Sequence, residues 1–165
     1  MKVFSKKIMF IFLINYIELS IAPILSNALI IFPLTFLSYS LYVYRSKNSI
    51  GAIEAFLMGI FVDLISGTYF GLNASLFCII TYLINIYSNS FKIFSYLQVC
   101  IFFGLSATAY IGFTQLALNF YNFSYLLLLI SSIFNISFCI FLAFISSYFP
   151  KTINTKIWSW NTRRG

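Results

Sequence analysis

Gly51-Ala-Ile-Glu-Ala-Phe-Leu-Met-Gly59-Ile-Phe-Val-Asp63-Leu-Ile-Ser-Gly67-Thr-Tyr-Phe-Gly71-Leu-Asn-Ala74 is the stretch that decides how this chain folds. Small residues recur at every fourth place: Gly51, Ala55 and Gly59, then Asp63, Gly67 and Gly71. At about 100° per residue, the positions up to Asp63 form one narrow stripe on a helix. In lipid, where apolar side chains gain nothing by leaving their solvent, such stripes let helix backbones approach closely. Gly67 and Gly71 bracket Thr68-Tyr-Phe70 and supply the conformational freedom of a tight turn. The stretch therefore predicts two short helices folded back on each other, with Asp63 near their junction.

The rest of the chain fits a lipid environment. Of its 165 residues, 61% are hydrophobic and 8% are charged. Soluble domains carry about 25% charged residues, so this composition cannot cover a water-facing surface. Six apolar runs can be drawn: Ile8–Ser26, Ala28–Tyr44, Gly51–Ser66, Phe70–Ser88, Ile93–Leu118 and Tyr125–Phe149. A helix needs about 20 residues, with a range of about 17–25, to cross a bilayer. Most runs meet this, the third is short, and the fifth and sixth are long enough to tilt. The expected fold is an all-α integral membrane protein, a bundle of about six transmembrane helices. Residues 1–150 form one helical domain, and 151–165 a basic, Trp-containing cytoplasmic tail with Trp158 and Trp160 suited to the membrane interface.

Charge orients the bundle. Lys2, Lys6 and Lys7 precede the first run, Arg45 and Lys47 follow the second, Lys92 follows the fourth, and Lys151, Lys156, Arg163 and Arg164 follow the sixth. With six crossings all ten bases fall on one side, and the positive-inside rule places both termini in the cytoplasm. Five crossings would move Lys92 and the C-terminal bases outside, which the same rule disfavours. A cleaved signal peptide ending near Ser26-Asn-Ala28 is the competing reading of the first run. Glu18 interrupts that run, and cleavage would break the charge parity. A net charge of +7 would suggest nucleic acid in a soluble protein. Here the bases lie between apolar runs, so no nucleic-acid partner is expected.

The three acids, Glu18, Glu54 and Asp63, all lie within apolar runs. A carboxylate there is costly and faces a bundle interior or a cavity. Each is either protonated or held by backbone and hydroxyl donors. Glu54 and Asp63 are nine residues apart, on nearly opposite helix faces, so they do not form a dyad. A relay through Glu18 and Asp63 is one reading; a structural or partner-binding role for Asp63 is the favoured one. Cys78, Cys100 and Cys139 stand singly and the chain has no histidine, so no metal site is expected. No catalytic set, phosphate loop or nucleotide motif is visible. The expectation is a nonenzymatic protein without a cofactor.

Gly59, Asp63, Gly67, Gly71 and Ala74, with Phe56-Leu-Met-Gly-Ile-Phe-Val-Asp-Leu-Ile-Ser-Gly67 as the closest part, resemble the signature of the rod shape-determining protein MreD family. Length, hydropathy and Pro33 early in the second run agree with it; Glu18 and Glu54 lie outside the pattern. The resemblance implies a scaffold of the bacterial cell-elongation machinery (the elongasome) in the inner membrane. Such proteins act in rod shape and peptidoglycan synthesis beside an MreC-like protein, a RodA-like glycosyltransferase, a class B penicillin-binding protein and MreB filaments. It also implies a fold resembling the substrate-binding components of energy-coupling-factor transporters. That kinship supplies the alternative function, a small-molecule-binding subunit of a vitamin-type transporter, with Asn73, Gln98 or Gln115 lining its pocket. The motif Gly59, Asp63, Gly67, Gly71 and Ala74 is expected to serve helix packing or partner binding.

Overall fold

The computed structural model describes residues 2–46, 50–91, 94–118, 121 and 123–148. The tail at 151–165 lies outside the described residues, as do Lys47 and Lys92. Among those described, every regular element is a helix: α1 (Lys2–Ser26), α2 (Leu34–Arg45), α3 (Ala52–Ser66), α4 (Leu72–Ile86), the single turn α5 (Ser88–Phe91), α6 (Tyr96–Leu118) and α7 (Tyr125–Tyr148). Three segments are long and apolar enough to cross a membrane: Ile8–Ser26, Leu97–Leu118 and Tyr125–Leu142. Large apolar side chains such as Phe10, Leu13, Ile24, Phe113, Leu126, Ile133 and Phe141 face outward from them. A water-soluble bundle would bury these groups; a membrane protein leaves them to lipid.

The second run departs from its sequence reading. An apolar stretch from Ala28 predicts a helix there, but α2 starts only at Leu34. Pro33 occupies its N-cap and disfavours helical backbone at Phe32, while Leu29 adopts a positive φ of 56°. Residues 27–33 thus form a non-helical link. Its polar groups are met from α7: the Ile31 N–H donates to Ser131 Oγ at 2.8 Å, and Asn135 Nδ2 donates to the Ile31 carbonyl at 3.0 Å. Phe32 sets its ring edgewise against Phe134 and Phe138. Non-helical backbone survives in an apolar medium only where protein supplies such partners.

Contacts fix the direction of each helix. Gly104 approaches Ile136 and Gly112 approaches Leu128, so α6 and α7 are antiparallel. Asn85 Nδ2 reaches the Ile50 carbonyl while Gly59 meets Ala74, so α3 and α4 are antiparallel as well. Ile11 and Val62 share a crevice, and Asn15 bonds Ser66, which makes α1 and α3 parallel. Phe36 and Tyr39 of α2 meet Phe77 and Thr81 of α4 in parallel order. Phe36 stacks on Tyr110 while Tyr44 meets Phe103, so α2 opposes α6. Helices α1, α3 and α6 therefore point one way and α2, α4 and α7 the other. Lys2, Lys6, Lys7 and Arg45 share one end of the molecule; the 27–33 link and the 67–71 turn share the other.

Helix α2 is the hub. It touches α1, α4 and α6 and buries Phe36, Leu37, Tyr39 and Val43. Tyr39 stacks on Phe77 at 4.1 Å between ring centroids, and its hydroxyl pairs with Thr81 Oγ1 at 2.6 Å. With 12 residues, α2 is about 18 Å long at 1.5 Å per residue. That is shorter than a bilayer core of about 30 Å.

Candidate functional site, the Asp63 clamp

Asp63 stands in the last turn of α3 and is 1% exposed. Helix α3 ends at Gly67, whose φ of 63° makes the left-handed C-cap, and its N–H reaches back to the Asp63 carbonyl. Gly71 has a φ of 92° and occupies the N-cap of α4. Having no side chain, it leaves the first N–H groups of α4 without the usual capping oxygen. Asp63 supplies it from the preceding helix. Its Oδ1 accepts the Asn73 N–H, Asn73 Nδ2 and Thr68 hydroxyl, each at 2.9 Å. Its Oδ2 accepts the Gly71 N–H at 2.9 Å and the Ala74 N–H at 3.4 Å. A carboxylate at a helix N-terminus gains from both charge-assisted bonds and the helix dipole.

Gly59 makes the clamp possible. A Cβ there would lie 2.8 Å from the Asn73 carbonyl carbon and closer still to backbone atoms of Ala74. Ala74 is itself fully buried. The small pair lets α3 and α4 touch backbone to backbone one turn below Asp63. A larger gap would carry the Asn73 and Ala74 N–H groups out of reach of the carboxylate.

The site continues into α6. Tyr110 donates its hydroxyl to Asn73 Oδ1, while Asn73 Nδ2 also reaches Thr68 Oγ1 at 3.2 Å. Tyr110 lies in the electrostatic field of both Asp63 and Glu18. Glu18 Oε2 accepts the Thr35 N–H at 2.6 Å and so caps α2 from α1. Glu18, Thr35, Asp63, Asn73 and Tyr110 thus gather in one layer near the end that holds the 27–33 link and the 67–71 turn.

The sequence-predicted residues fall in distinct places. Gly59, Asp63, Gly67, Gly71 and Ala74 form one hairpin. Glu54 lies in the first turn of α3, away from Asp63. Asn73 is committed to Asp63, Thr68 and Tyr110. Gln98 sits about 18 Å along α6 from Tyr110, where its Oε1 accepts the Ser95 N–H. Asn73 and Gln98 therefore do not share a pocket. A described apolar crevice of about 20 Å³, lined by Ile8, Ile11, Met58 and Val62, is elsewhere.

Comparison with protein-family models, curated proteins and solved structures gives no match. The chemistry of the site is then read from its geometry. Both Asp63 oxygens are filled by the protein's own donors, an arrangement that shapes a turn.

Sequence reasoning missed Thr68 and Tyr110. Thr68, five residues after an intramembrane acid and next to a C-cap glycine, carried a local signal. Tyr110 carried none, since its partner is 37 residues away. Tyr110→Phe keeps the ring on Phe36 and strands Asn73 Oδ1. The expected cost is about 1 kcal/mol, seen as a fall in Tm of about 2–4 °C in detergent. An unchanged Tm would show that this bond contributes nothing.

Proposed function

We propose that this chain is a nonenzymatic inner-membrane scaffold of the bacterial cell-elongation machinery, of the MreD type. The observation carrying the proposal is that the residues of the resemblance, Gly59 to Ala74, close into a single clamped hairpin. The clamp presents Tyr69 and Phe70, 65% and 71% exposed, at its tip. Six crossings with both termini in the cytoplasm complete the proposal. The alternating helix directions and the one-sided bases support that topology. The three short helices, α2, α3 and α4, cross beside the longer ones. On this reading Asp63 acts indirectly, by fixing the turn. The aromatic tip offers a docking point at the periplasmic surface for an MreC-like protein. The RodA-like glycosyltransferase, class B penicillin-binding protein and MreB filaments would join through the same assembly.

The transporter-subunit reading is weaker, because Asn73 is already committed to internal bonds and Gln98 lies near the other end. The scaffold reading is tested by depleting the protein in its native host and restoring it with variants. Depletion is expected to round the cells. Tyr69→Ser with Phe70→Ser should insert and fold normally yet lose most co-purification with the MreC-like partner, about a tenfold drop for two apolar anchors. Normal shape on depletion would refute the elongation role. Undiminished co-purification would refute the docking tip.

A further inference from the structure

The helices are level at one end of the molecule and uneven at the other. The layer that holds Glu18, Asp63 and Tyr110 gives a common height. Towards the bases, Lys7 lies eleven residues from Glu18 and Ala52 eleven from Asp63, about 16 Å each along their helices. Arg45 lies ten residues from Thr35, about 15 Å. Helix α3 therefore starts level with Lys7 and Arg45. Towards the other end, α1 runs eight residues past Glu18 to Ser26, and α6 eight past Tyr110 to Leu118, about 12 Å each. Helix α3 runs only three residues past Asp63 to Ser66, about 5 Å, before the chain turns back at 67–71.

The outward surface carries the same step. Leu57, Phe61 and Leu64 of α3 and Ile79, Tyr82 and Ile86 of α4 are exposed. Each of these helices has 15 residues, about 22 Å. The segments Ile8–Ser26 and Leu97–Leu118 have 19 and 22 residues, about 28 and 33 Å. A bilayer core is about 30 Å thick, so α1 and α6 match it and the α3–α4 face falls about 8 Å short. Tilting does not help, since it only takes up excess length. Snorkelling uses long charged side chains, and neither helix has a lysine or arginine. Nor can the turn stay in hydrocarbon. Gly67, Tyr69 and Phe70 are exposed there, and the last carbonyls of α3 have no partner within the helix. Leaving peptide groups dry in hydrocarbon costs far more than deforming a bilayer by a few ångströms.

We propose that the outward face of α3 and α4 holds a locally thinned bilayer, in which lipid headgroups descend to the 67–71 turn. The thinning lies in the leaflet at the turn end, because the other ends are level. Lipid fits this face better than another helix does. A partner helix of about 20 residues would overhang the turn, whereas lipid adapts its thickness. The proposal rests on α3 and α4 crossing the membrane and not on the elongation role.

The test reads the depth of single tryptophans in the full-length protein, in dioleoyl phosphatidylcholine vesicles with nitroxide-labelled lipids. Trp158 and Trp160 are replaced by Phe, and one tryptophan is introduced by Phe70→Trp, Leu118→Trp or Ile79→Trp. All three sites are exposed, so each protein should keep the parent's Tm. Tyr69→Trp replaces Phe70→Trp if that variant does not. At positions 70 and 118 a headgroup nitroxide should quench about twofold better than a mid-chain one. At position 79 the mid-chain nitroxide should quench better. A tryptophan at 70 quenched best from mid-chain, with 118 still shallow, overturns the proposal. So does a tryptophan at 79 that no lipid quenches, which would mean that a second copy covers the face. Sidedness is read separately, with an impermeant maleimide on right-side-out membrane vesicles. Tyr69→Cys should react and Ser88→Cys should not. Equal labelling of both would refute the crossing itself, whatever the depths.

Discussion

Gly59→Leu is expected to leave no folded monomer in mild detergent. The side chain would have to occupy space already filled by the backbone of Asn73 and Ala74, and backbone cannot step aside by changing a rotamer. Overpacking typically costs about 1–3 kcal/mol. Here the helices must separate, and separation also breaks the Asp63 bonds, so the two losses add. Gly59→Ala tests the sign more finely. Alanine gains about 1 kcal/mol of helix propensity over glycine, and a generic helical glycine would show that gain. At position 59 the clash should win, with Tm falling by about 5 °C or more. Gly51→Ala is the control, since nothing lies within 4 Å of a Cβ there; it should change stability by less than about 1 kcal/mol. Size-exclusion chromatography with a thermal ramp reads all three. A Gly59→Ala protein as stable as the parent would show that the close approach of α3 and α4 is not required.

Asp63→Ala ranks second. Interhelical hydrogen bonds in membrane proteins average about 0.6 kcal/mol each. Five donors on one carboxylate then sum to about 3 kcal/mol, and stranding buried N–H groups pushes the loss towards about 4 kcal/mol. Asp63→Asn should fall between. An amide oxygen can keep the Thr68 and Asn73 contacts at Oδ1, but the amide nitrogen would face the Gly71 and Ala74 N–H groups, donor against donor. The measurable order is parent, then Asn, then Ala, in Tm and in resistance of the 67–71 turn to protease. Asn and Ala variants of equal stability would mean that the Oδ1 bonds contribute nothing.

Much of this architecture was legible in the chain. The ends of α1, α3, α6 and α7 at Ser26, Ser66, Leu118 and Tyr125 coincide with the ends of apolar runs, because polar or turn-forming residues follow or precede them. The hairpin was legible because the glycine spacing and the turn are local. The link at 27–33 was not. Ala28-Leu-Ile-Ile-Phe32 reads as helix by hydropathy, and what holds it open is Ser131 and Asn135, about a hundred residues later. The same limit applied at the site. That an intramembrane Asp63 needs backbone and hydroxyl donors follows from electrostatics. That Asn73 joins the donors instead of lining a pocket depends on the rotation of α4, which sequence spacing does not determine.

The Asp63 clamp also bears on how the protein enters the membrane. All five of its donors belong to residues 68–74, so every one is synthesised after the carboxylate. A lone α3 would offer the translocation machinery a 15-residue segment with an unmet acid in its last turn, where the insertion cost stays below the roughly 2.5–3.5 kcal/mol of an aspartate at a helix centre but is still unfavourable. Once residues 68–74 have followed, the charge is already solvated by protein. The natural unit of insertion is therefore the paired segment from Ala52 to Ile86, with Gly59 allowing its two arms to close before lipid surrounds them.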